Sequence, residues 1–309
     1  MYYIFLAVLS SATMTLILKY SEVKKQNRYA VTTMNYIMAS LVLTLTISLS
    51  SAPLPPVHFG QFFQEFYPVV VGNQGVFSPG AAMVWILLVG VAGGGCFCAG
   101  LIFIQKSIEE NGVSITGAFS KLGIMIPLCF ALFFWKEVPT FFQFFGIAMA
   151  FAAILMINPS RPSSKNPAQS GVRTLIILFL VSGMGDFMAK LFEKYATGEE
   201  KLIYLLVVFS TALFISAYYT WKKLQQGHTI TRRDIVTGVM VGVPNLLTSY
   251  FLISAFKTVK TTLVFPLFSS GVIFMVTLGG ITLFREQLEK RKITAIGMIL
   301  VAVILMNTH

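Results

Sequence analysis

Long apolar runs alternate with short polar turns along the whole chain. Ten runs can be distinguished, and they cover about residues 2–20, 30–51, 81–105, 113–135, 139–158, 173–192, 202–221, 235–256, 261–284 and 293–307. Each run is close to the roughly 20 residues that an α-helix needs to cross a bilayer. The pattern therefore predicts an all-α membrane protein with ten transmembrane helices.

One stretch of this pattern occurs twice. Residues 113–158 and 262–307 each contain two apolar runs that are joined by a tight charged turn. Matching residues recur at an offset of 149, and the last run of each copy drifts to an offset of 151 at Gly146 and Gly297. The residues that match at 149 are Phe119-Ser120 with Phe268-Ser269, and Lys136-Glu137 with Arg285-Glu286. A duplicated membrane hairpin is typical of transporters that are built from repeats.

The repeat extends to the first spans of the two halves, where Ser11 and Lys19 match Ser182 and Lys190 at an offset of 171. Each half then holds five spans, and because five is odd, the second half must lie inverted in the membrane. The predicted organisation is a first repeat at 1–158, a linker rich in Pro, Ser and Asn at 159–171, and a second repeat at 172–309.

The one long connection, 52–80, carries a regular aromatic pattern. Its aromatic residues follow the i, i+3, i+4, i+7, i+8 spacing of one helix face, at Phe59, Phe62, Phe63, Phe66 and Tyr67. This spacing predicts a short amphipathic helix that lies on the membrane surface. An interfacial anchor is the favoured role, and a substrate lid is the alternative.

Composition and charge agree with a membrane protein. The chain has 309 residues, of which 56% are hydrophobic and 11% are charged, whereas a soluble domain carries about 25% charged residues. The net charge of +11 would suggest nucleic acid as a partner in a soluble protein. Here the basic residues lie in turns between apolar runs, so they indicate topology, and we expect no nucleic-acid binding.

The sequence gives no sign of catalysis. Cys96, Cys98 and Cys129 lie in apolar runs without metal-ligand spacing, and the three histidines lie outside the spans. The chain also lacks the HExxH, G-x-S-x-G and phosphate-binding glycine motifs. We therefore expect neither an enzyme nor a bound metal or cofactor.

The distribution of Lys and Arg predicts the orientation. Odd-numbered connections hold 16 of these residues and even-numbered connections hold 6. By the positive-inside rule, both termini and the aromatic connection 52–80 should lie outside the cytoplasm.

The paired turns resemble a known family. Phe134-Trp-Lys-Glu137 and Leu283-Phe-Arg-Glu286 are similar to the Glu-containing turn before the last span of each half in EamA-type members of the drug/metabolite transporter superfamily. Gly242-Val-Pro-Asn245 resembles a third-span pattern of that family. The resemblance implies a ten-helix transporter whose central cavity is lined by the first, third and fourth helices of each half. It also implies cytoplasmic termini, against the charge distribution. The first span has no glutamate of the kind that small multidrug resistance relatives use.

Charges inside spans are costly and are therefore the first candidates for substrate binding. Lys121 lies about two turns into the fourth span, and its counterpart in the other copy is Ser270. Asp186 and Lys190 lie four residues apart on one face of the sixth span, either as a local ion pair or as groups that face a cavity. These three charges suit a zwitterionic or anionic metabolite.

Uncharged candidates accompany them. Asn245 follows Pro244, and such helix breaks often line a cavity. Ser120 and Ser269 occupy matched repeat positions, although serines in spans commonly bond their own helix. Gly94 either leaves room for substrate or, as the Gly90-x-x-x-Gly94 spacing favours, allows close helix packing. Asn35 is favoured as a helix-to-helix hydrogen-bonding residue.

The predicted function is secondary-active transport of a small polar metabolite by alternating access in a bacterial cytoplasmic membrane. No ATP-binding motif is present, so a proton or sodium gradient or an exchanged substrate is the expected energy source. The alternative is a membrane receptor or assembly scaffold that transports nothing.

Overall fold

Helices account for all of the regular structure among the described residues. The computed structural model describes residues 1–50, 55–111, 120, 123–157, 169–197 and 199–284, and the short pieces 293–294, 297–298, 301–302 and 304–305. The helices are α1 (Tyr2–Val23), α2 (Arg28–Leu49), α3 (Phe59–Phe66), α4 (Pro79–Asn111), α5 (Met125–Phe133), α6 (Phe141–Ile157), α7 (Gln169–Tyr195), α8 (Lys201–Gln225), α9 (Arg232–Phe256) and α10 (Thr261–Phe284). A five-residue π-helix, Tyr67–Val71, extends α3.

Seven helices within the described residues are long and apolar enough to cross a membrane. These spans are Tyr2–Ser21, Arg28–Leu49, Pro79–Ile104, Gly171–Tyr195, Lys201–Gln225, Arg232–Phe256 and Thr261–Gly280. They coincide with the first, second, third, sixth, seventh, eighth and ninth predicted runs. The fifth run contains a shorter apolar helix, Phe141–Ala153. An all-helical membrane fold is thus confirmed, while the count of ten spans stays a prediction.

Parts of two predicted runs lie outside the described residues. The fourth run is described at 120 and from 123 onward, where α5 occupies its second half. The tenth run is described only in short helical pieces. The predicted linker is described from 169, and α7 already begins there.

The predicted surface helix is confirmed as a helix. Within α3, Phe62 is buried and its ring lies 5.4 Å from the ring of Phe77. Phe59, Phe63 and Tyr67 are exposed. One aromatic side chain therefore fixes the helix to the protein, while the others form an exposed aromatic face.

The chain forms two compact units, each of which draws segments from both halves of the sequence. Unit 1 comprises 1–16, 99–186 and 254–309, and unit 2 comprises 17–98 and 187–253.

In unit 2, α2 packs along α8 and α9. Thr33 of α2 and Thr220 of α8 share a buried hydrogen bond of 2.8 Å. Gly238 and Gly242 of α9 face the backbone of α2, since a Cβ at these glycines would lie 2.6 Å from the oxygen of Val31 and 2.8 Å from that of Asn35. Small residues thus permit close helix contact, as they do in other membrane proteins.

Local polar contacts fix where α2 and α9 begin. The side chain of Asn27 accepts hydrogen bonds from the backbone N–H groups of Tyr29 and Ala30 at the start of α2. Asp234 in the first turn of α9 accepts from the N–H and hydroxyl of Thr231, and also from the N–H of Asn27 at 3.0 Å. The starts of α2 and α9 are therefore joined through one buried carboxylate.

In unit 1, α10 packs against α5 and α6. The turn between α5 and α6 reaches the start of α10, where the Glu137 carboxylate accepts from the N–H of Thr261 at 2.6 Å and from its hydroxyl at 3.1 Å. A carboxylate at this position satisfies a free N–H group of the first helical turn and complements the positive end of the helix dipole.

Candidate functional site

A buried ion pair lies on α7 in unit 2. The Nζ of Lys190 lies 2.7 Å from Oε2 of Glu193, one turn further along α7, and the two side chains are 5% and 12% exposed. Burial of charges in a region of low polarity is tolerated when opposite charges pair and form hydrogen bonds. Lys190 was predicted as a site residue, and Glu193 was not.

Glu193 is not among the predicted site residues because the sixth apolar run ends at residue 192. In the structure α7 continues to Tyr195. The signal was available in the i, i+3 spacing of Lys190 and Glu193, which places both side chains on one helix face.

Aromatic side chains of α4 and α8 contact this part of α7. The rings of Phe192 and Tyr204, the latter from α8, are stacked with centroids 4.3 Å apart. The Nε1 group of Trp85 in α4 donates to the carbonyl of Leu191 at 3.2 Å. Both rings of the stacked pair are buried, so they pack α7 against α8.

Another cation of unit 2, Lys201, contacts an aromatic ring. The Nζ of Lys201, the first residue of α8, lies 3.5 Å from the ring centroid of Tyr250 in α9. This distance is within the range of a cation–π interaction. The contact joins the start of α8 to α9.

The two asparagines of unit 2 bond to each other. The Nδ2 of Asn245 donates to Oδ1 of Asn35 at 3.0 Å, and both residues are buried. The helix-to-helix hydrogen bond favoured for Asn35 is therefore confirmed, with the substrate candidate Asn245 as its partner. Each amide retains further hydrogen-bonding groups.

Close packing at Gly94 is also present, as the Gly90-x-x-x-Gly94 spacing favours. A Cβ on Gly94 would lie 2.5 Å from the carbonyl oxygen of Val208 in α8. A Cβ on Gly90 would lie 2.8 Å from Cγ1 of Val207. The backbone of α8 occupies the space beside Gly94 in this conformation.

The candidates of unit 1 lie on α7, on α10 and at residue 120. The hydroxyls of Ser120 and Ser182 are 3.4 Å apart, and the half-buried Asp186 follows Ser182 by four residues on α7. Ser269 is buried in α10, next to Ser270, whose hydroxyl donates to the carbonyl of Pro266 at 2.6 Å. Ser182 thus joins the candidate polar residues, whereas the sequence identifies it only as the repeat counterpart of Ser11.

Lys121 lies outside the described residues, so its predicted role stays a prediction. Lys190, Asn245 and Ser120 each contact a residue that was not among the predicted site residues: Glu193, Asn35 and Ser182. Within the part of the chain that the structure describes, no group of three or more His, Cys, Asp and Glu residues could hold a metal ion.

Known proteins resemble this chain at the levels of family, sequence and fold. The model of the EamA-like transporter family matches residues 1–158. An uncharacterised protein from Haemophilus influenzae is 26% identical over 193 residues, a match that spans 61% of this chain and 64% of that relative. One crystal structure resembles this fold with a TM-score of 0.66 at 13% identity, over 99% of this chain and 95% of the other.

Proposed function

We propose, because this chain belongs to the EamA-like transporter family of the drug/metabolite transporter superfamily, that it moves a small zwitterionic or anionic metabolite across its membrane. The observation that carries this proposal is the buried pair of Lys190 and Glu193. A metabolite carboxylate complements the ammonium group, and a metabolite amine complements the carboxylate. A substrate with both groups could replace each charge's present partner without leaving a buried charge unpaired.

The mechanism we propose is alternating access by two inverted five-helix repeats. Contacts between connections support this topology. The connection after the first span touches the connection after the seventh, through Asn27 and Asp234. The connection after the second span touches the connection after the sixth, through the N–H of Phe77 and the carbonyl of Tyr195 at 2.9 Å.

A third contact also joins two connections. Glu137, after the fourth span, bonds to Thr261, after the eighth. Two connections that touch must lie on one side of a hydrocarbon layer of about 30 Å, so an even number of crossings must separate them. The ten-span topology meets this condition in all three cases.

The contacts also support inversion. In the repeat, the first connection corresponds to the sixth, and the second corresponds to the seventh. A contact between the first and seventh connections therefore becomes, when the halves are exchanged, a contact between the sixth and second. The structure contains both, and in the ten-span topology they lie on opposite sides of the membrane. This relation is expected for repeats that are related by a two-fold axis in the membrane plane.

Uptake into proteoliposomes is the decisive test. The purified protein should accumulate or exchange at least one labelled compound from a panel of amino acids, organic acids and phosphorylated metabolites. Lys190→Met should reduce uptake, and Lys222→Met, at an exposed lysine, should not. If folded protein moves nothing from the panel, the receptor or scaffold alternative is favoured. Varying the proton and sodium gradients and the internal substrate identifies the energy source.

Lys121 is proposed as a further contact for an anionic group. Its counterpart in the second copy is Ser270, so the lysine is not required by the repeat itself. Lys121→Met should weaken the affinity for substrate by about 10- to 100-fold, the value of one charge-assisted contact. The affinity is measured from substrate-induced thermal stabilisation. Lys121→Arg should restore it only in part, because the guanidinium group is larger and planar. Unchanged affinity would assign the lysine a structural role.

The orientation that we propose places both termini outside the cytoplasm, since 16 Lys and Arg residues lie in or next to odd-numbered connections and 6, Lys190 among them, lie in or next to even-numbered ones. A reporter that is active only in the cytoplasm, fused after His309, should be inactive. Reporter activity would instead support cytoplasmic termini.

A further inference from the structure

An open apolar groove lies in unit 1, where α5 and α6 meet the start of α10. Its volume is about 350 Å³, within the range of small-ligand sites. Its apolar walls come from Leu128 and Leu132 of α5 and from Phe141, Phe144 and Ile147 of α6. Because the groove lies outside the candidate substrate residues, transport as proposed above does not account for it.

The groove opens on a surface that is suited to lipid. Phe141 is 71% exposed and Phe144 is 60% exposed, and large exposed apolar side chains of a membrane-spanning protein face hydrocarbon. The turn between α5 and α6 closes one end of the groove, and helix ends of this kind lie at the level of lipid headgroups. An occupant must therefore be apolar along the groove and polar at the turn.

Cationic groups lie at the polar end. The Nζ of Lys260 donates to the carbonyl oxygen of Val138, a groove residue, at 3.4 Å. An ammonium group has three donors, so this contact positions the lysine and leaves donors for another acceptor. Lys136 is exposed on the same turn. The nearby carboxylate of Glu137 is engaged by Thr261.

We propose that this groove binds an anionic phospholipid, with one acyl chain between α5 and α6 and with the phosphate near Lys260. The apolar walls account for the chain, and the cationic rim accounts for the headgroup. A basic residue near the surface favours anionic lipid over zwitterionic lipid by about five-fold.

Native mass spectrometry of the delipidated protein tests this proposal. The protein is titrated with phosphatidylglycerol and with phosphatidylcholine of the same acyl chains. One phosphatidylglycerol molecule should be retained about five-fold more tightly than phosphatidylcholine. Lys260→Gln should lower this ratio while phosphatidylcholine binding persists, and Lys260→Gln combined with Lys136→Gln should reduce it to about one. Lys222→Gln, an equal charge change at an exposed lysine in the last turn of α8, should leave the ratio unchanged.

A second pair of variants tests the groove itself. Leu132→Trp should fill the groove and weaken the binding of both lipids. Phe133→Trp, at the neighbouring position that is 77% exposed, should not. Thermal unfolding shows whether each variant is folded, and Leu132→Phe replaces Leu132→Trp if the latter unfolds.

Three results with the two phospholipids would overturn the proposal. They are equal retention of the two lipids by the unaltered protein, an unchanged ratio in Lys260→Gln, and undiminished lipid binding in a folded groove-filling variant. Retention of dodecyl maltoside as tight as that of phosphatidylglycerol would show an unselective apolar groove and would also contradict it.

Discussion

Lys190 and Glu193 place two opposite charges on one turn of α7, in surroundings that are largely closed to solvent. Pairing lowers the free-energy cost of burying such charges, but a buried pair is often no more stabilising than apolar residues of similar volume. Removing one partner leaves the other charge buried, whereas removing both avoids that cost. This asymmetry separates a structural role from a substrate-binding role.

A double-mutant cycle makes the distinction. Lys190→Met should lower the free energy of unfolding by about 3–5 kcal/mol, because it leaves the Glu193 carboxylate buried without this cation. Glu193→Gln should lower it by less, because the amide oxygen can still accept a hydrogen bond from Lys190. The combined variant should recover much of this loss, as measured by thermal unfolding in detergent, with Lys222→Met as the neutral control. If the pair binds substrate, the combined variant should remain inactive in uptake. Recovery of both stability and uptake would assign the pair a purely structural role.

At the scale of elements, the contact between α4 and α8 depends on missing side chains. Gly94 faces the backbone of α8, whereas Gly95 has nothing within 4 Å of the position that a Cβ would occupy. These adjacent glycines therefore differ in packing while they share the same helical backbone. They provide a matched pair for testing how closely the two helices must approach.

Gly94→Ala should destabilise the protein by about 1–3 kcal/mol, because the new methyl group would press on the carbonyl of Val208. Gly95→Ala should instead stabilise it by up to about 1 kcal/mol through helix propensity. Thermal unfolding of the two variants side by side measures the difference. Equal tolerance of both alanines would contradict close packing at Gly94.

The start of α10 depends on a residue from another element. Glu137→Ala should cost about 0.5–2 kcal/mol, the usual value of a capping side chain, because the first turn of α10 loses an acceptor for the N–H of Thr261. Glu199→Ala, at an exposed glutamate, is the control. The measurement is thermal unfolding together with amide exchange at 261–264. Unchanged exchange in Glu137→Ala would show that the contact does not hold the helix start.

At the scale of the whole molecule, contacts between connections predict which sites share a membrane side. In a variant that lacks Cys96, Cys98 and Cys129, single cysteines would replace Lys24, Gln74, Glu199 and Gln226. An impermeant maleimide applied to intact cells should label Gln74→Cys and Glu199→Cys, because their connections touch and are expected outside. Lys24→Cys and Gln226→Cys should react only after permeabilisation. Different behaviour within either pair would contradict the topology.

Most of the helical pattern could be predicted from sequence, and the partners of the site residues could not. Apolar runs of about 20 residues reflect a local requirement, since each must satisfy its own backbone in lipid. The Asn35–Asn245 bond joins residues 210 positions apart, and sequence spacing contains no information about such a contact. Glu193 is only three residues from Lys190, so it could be found from the sequence by extending the helix period beyond the apolar run.

The turn before α6 has a consequence for the natural variation of this protein. Lys136 has a φ of 54°, a left-handed conformation that costs most residues about 1 kcal/mol or more and that Gly and Asn adopt readily. The turn places Glu137 at the start of α10, so the conformation of residue 136 and the identity of residue 137 should have evolved together. Homologous sequences should therefore show Gly, Asn or a long flexible residue at position 136 wherever an acidic residue occupies position 137. Frequent Val or Ile at position 136 beside a retained Glu would show that the turn is built differently in those relatives.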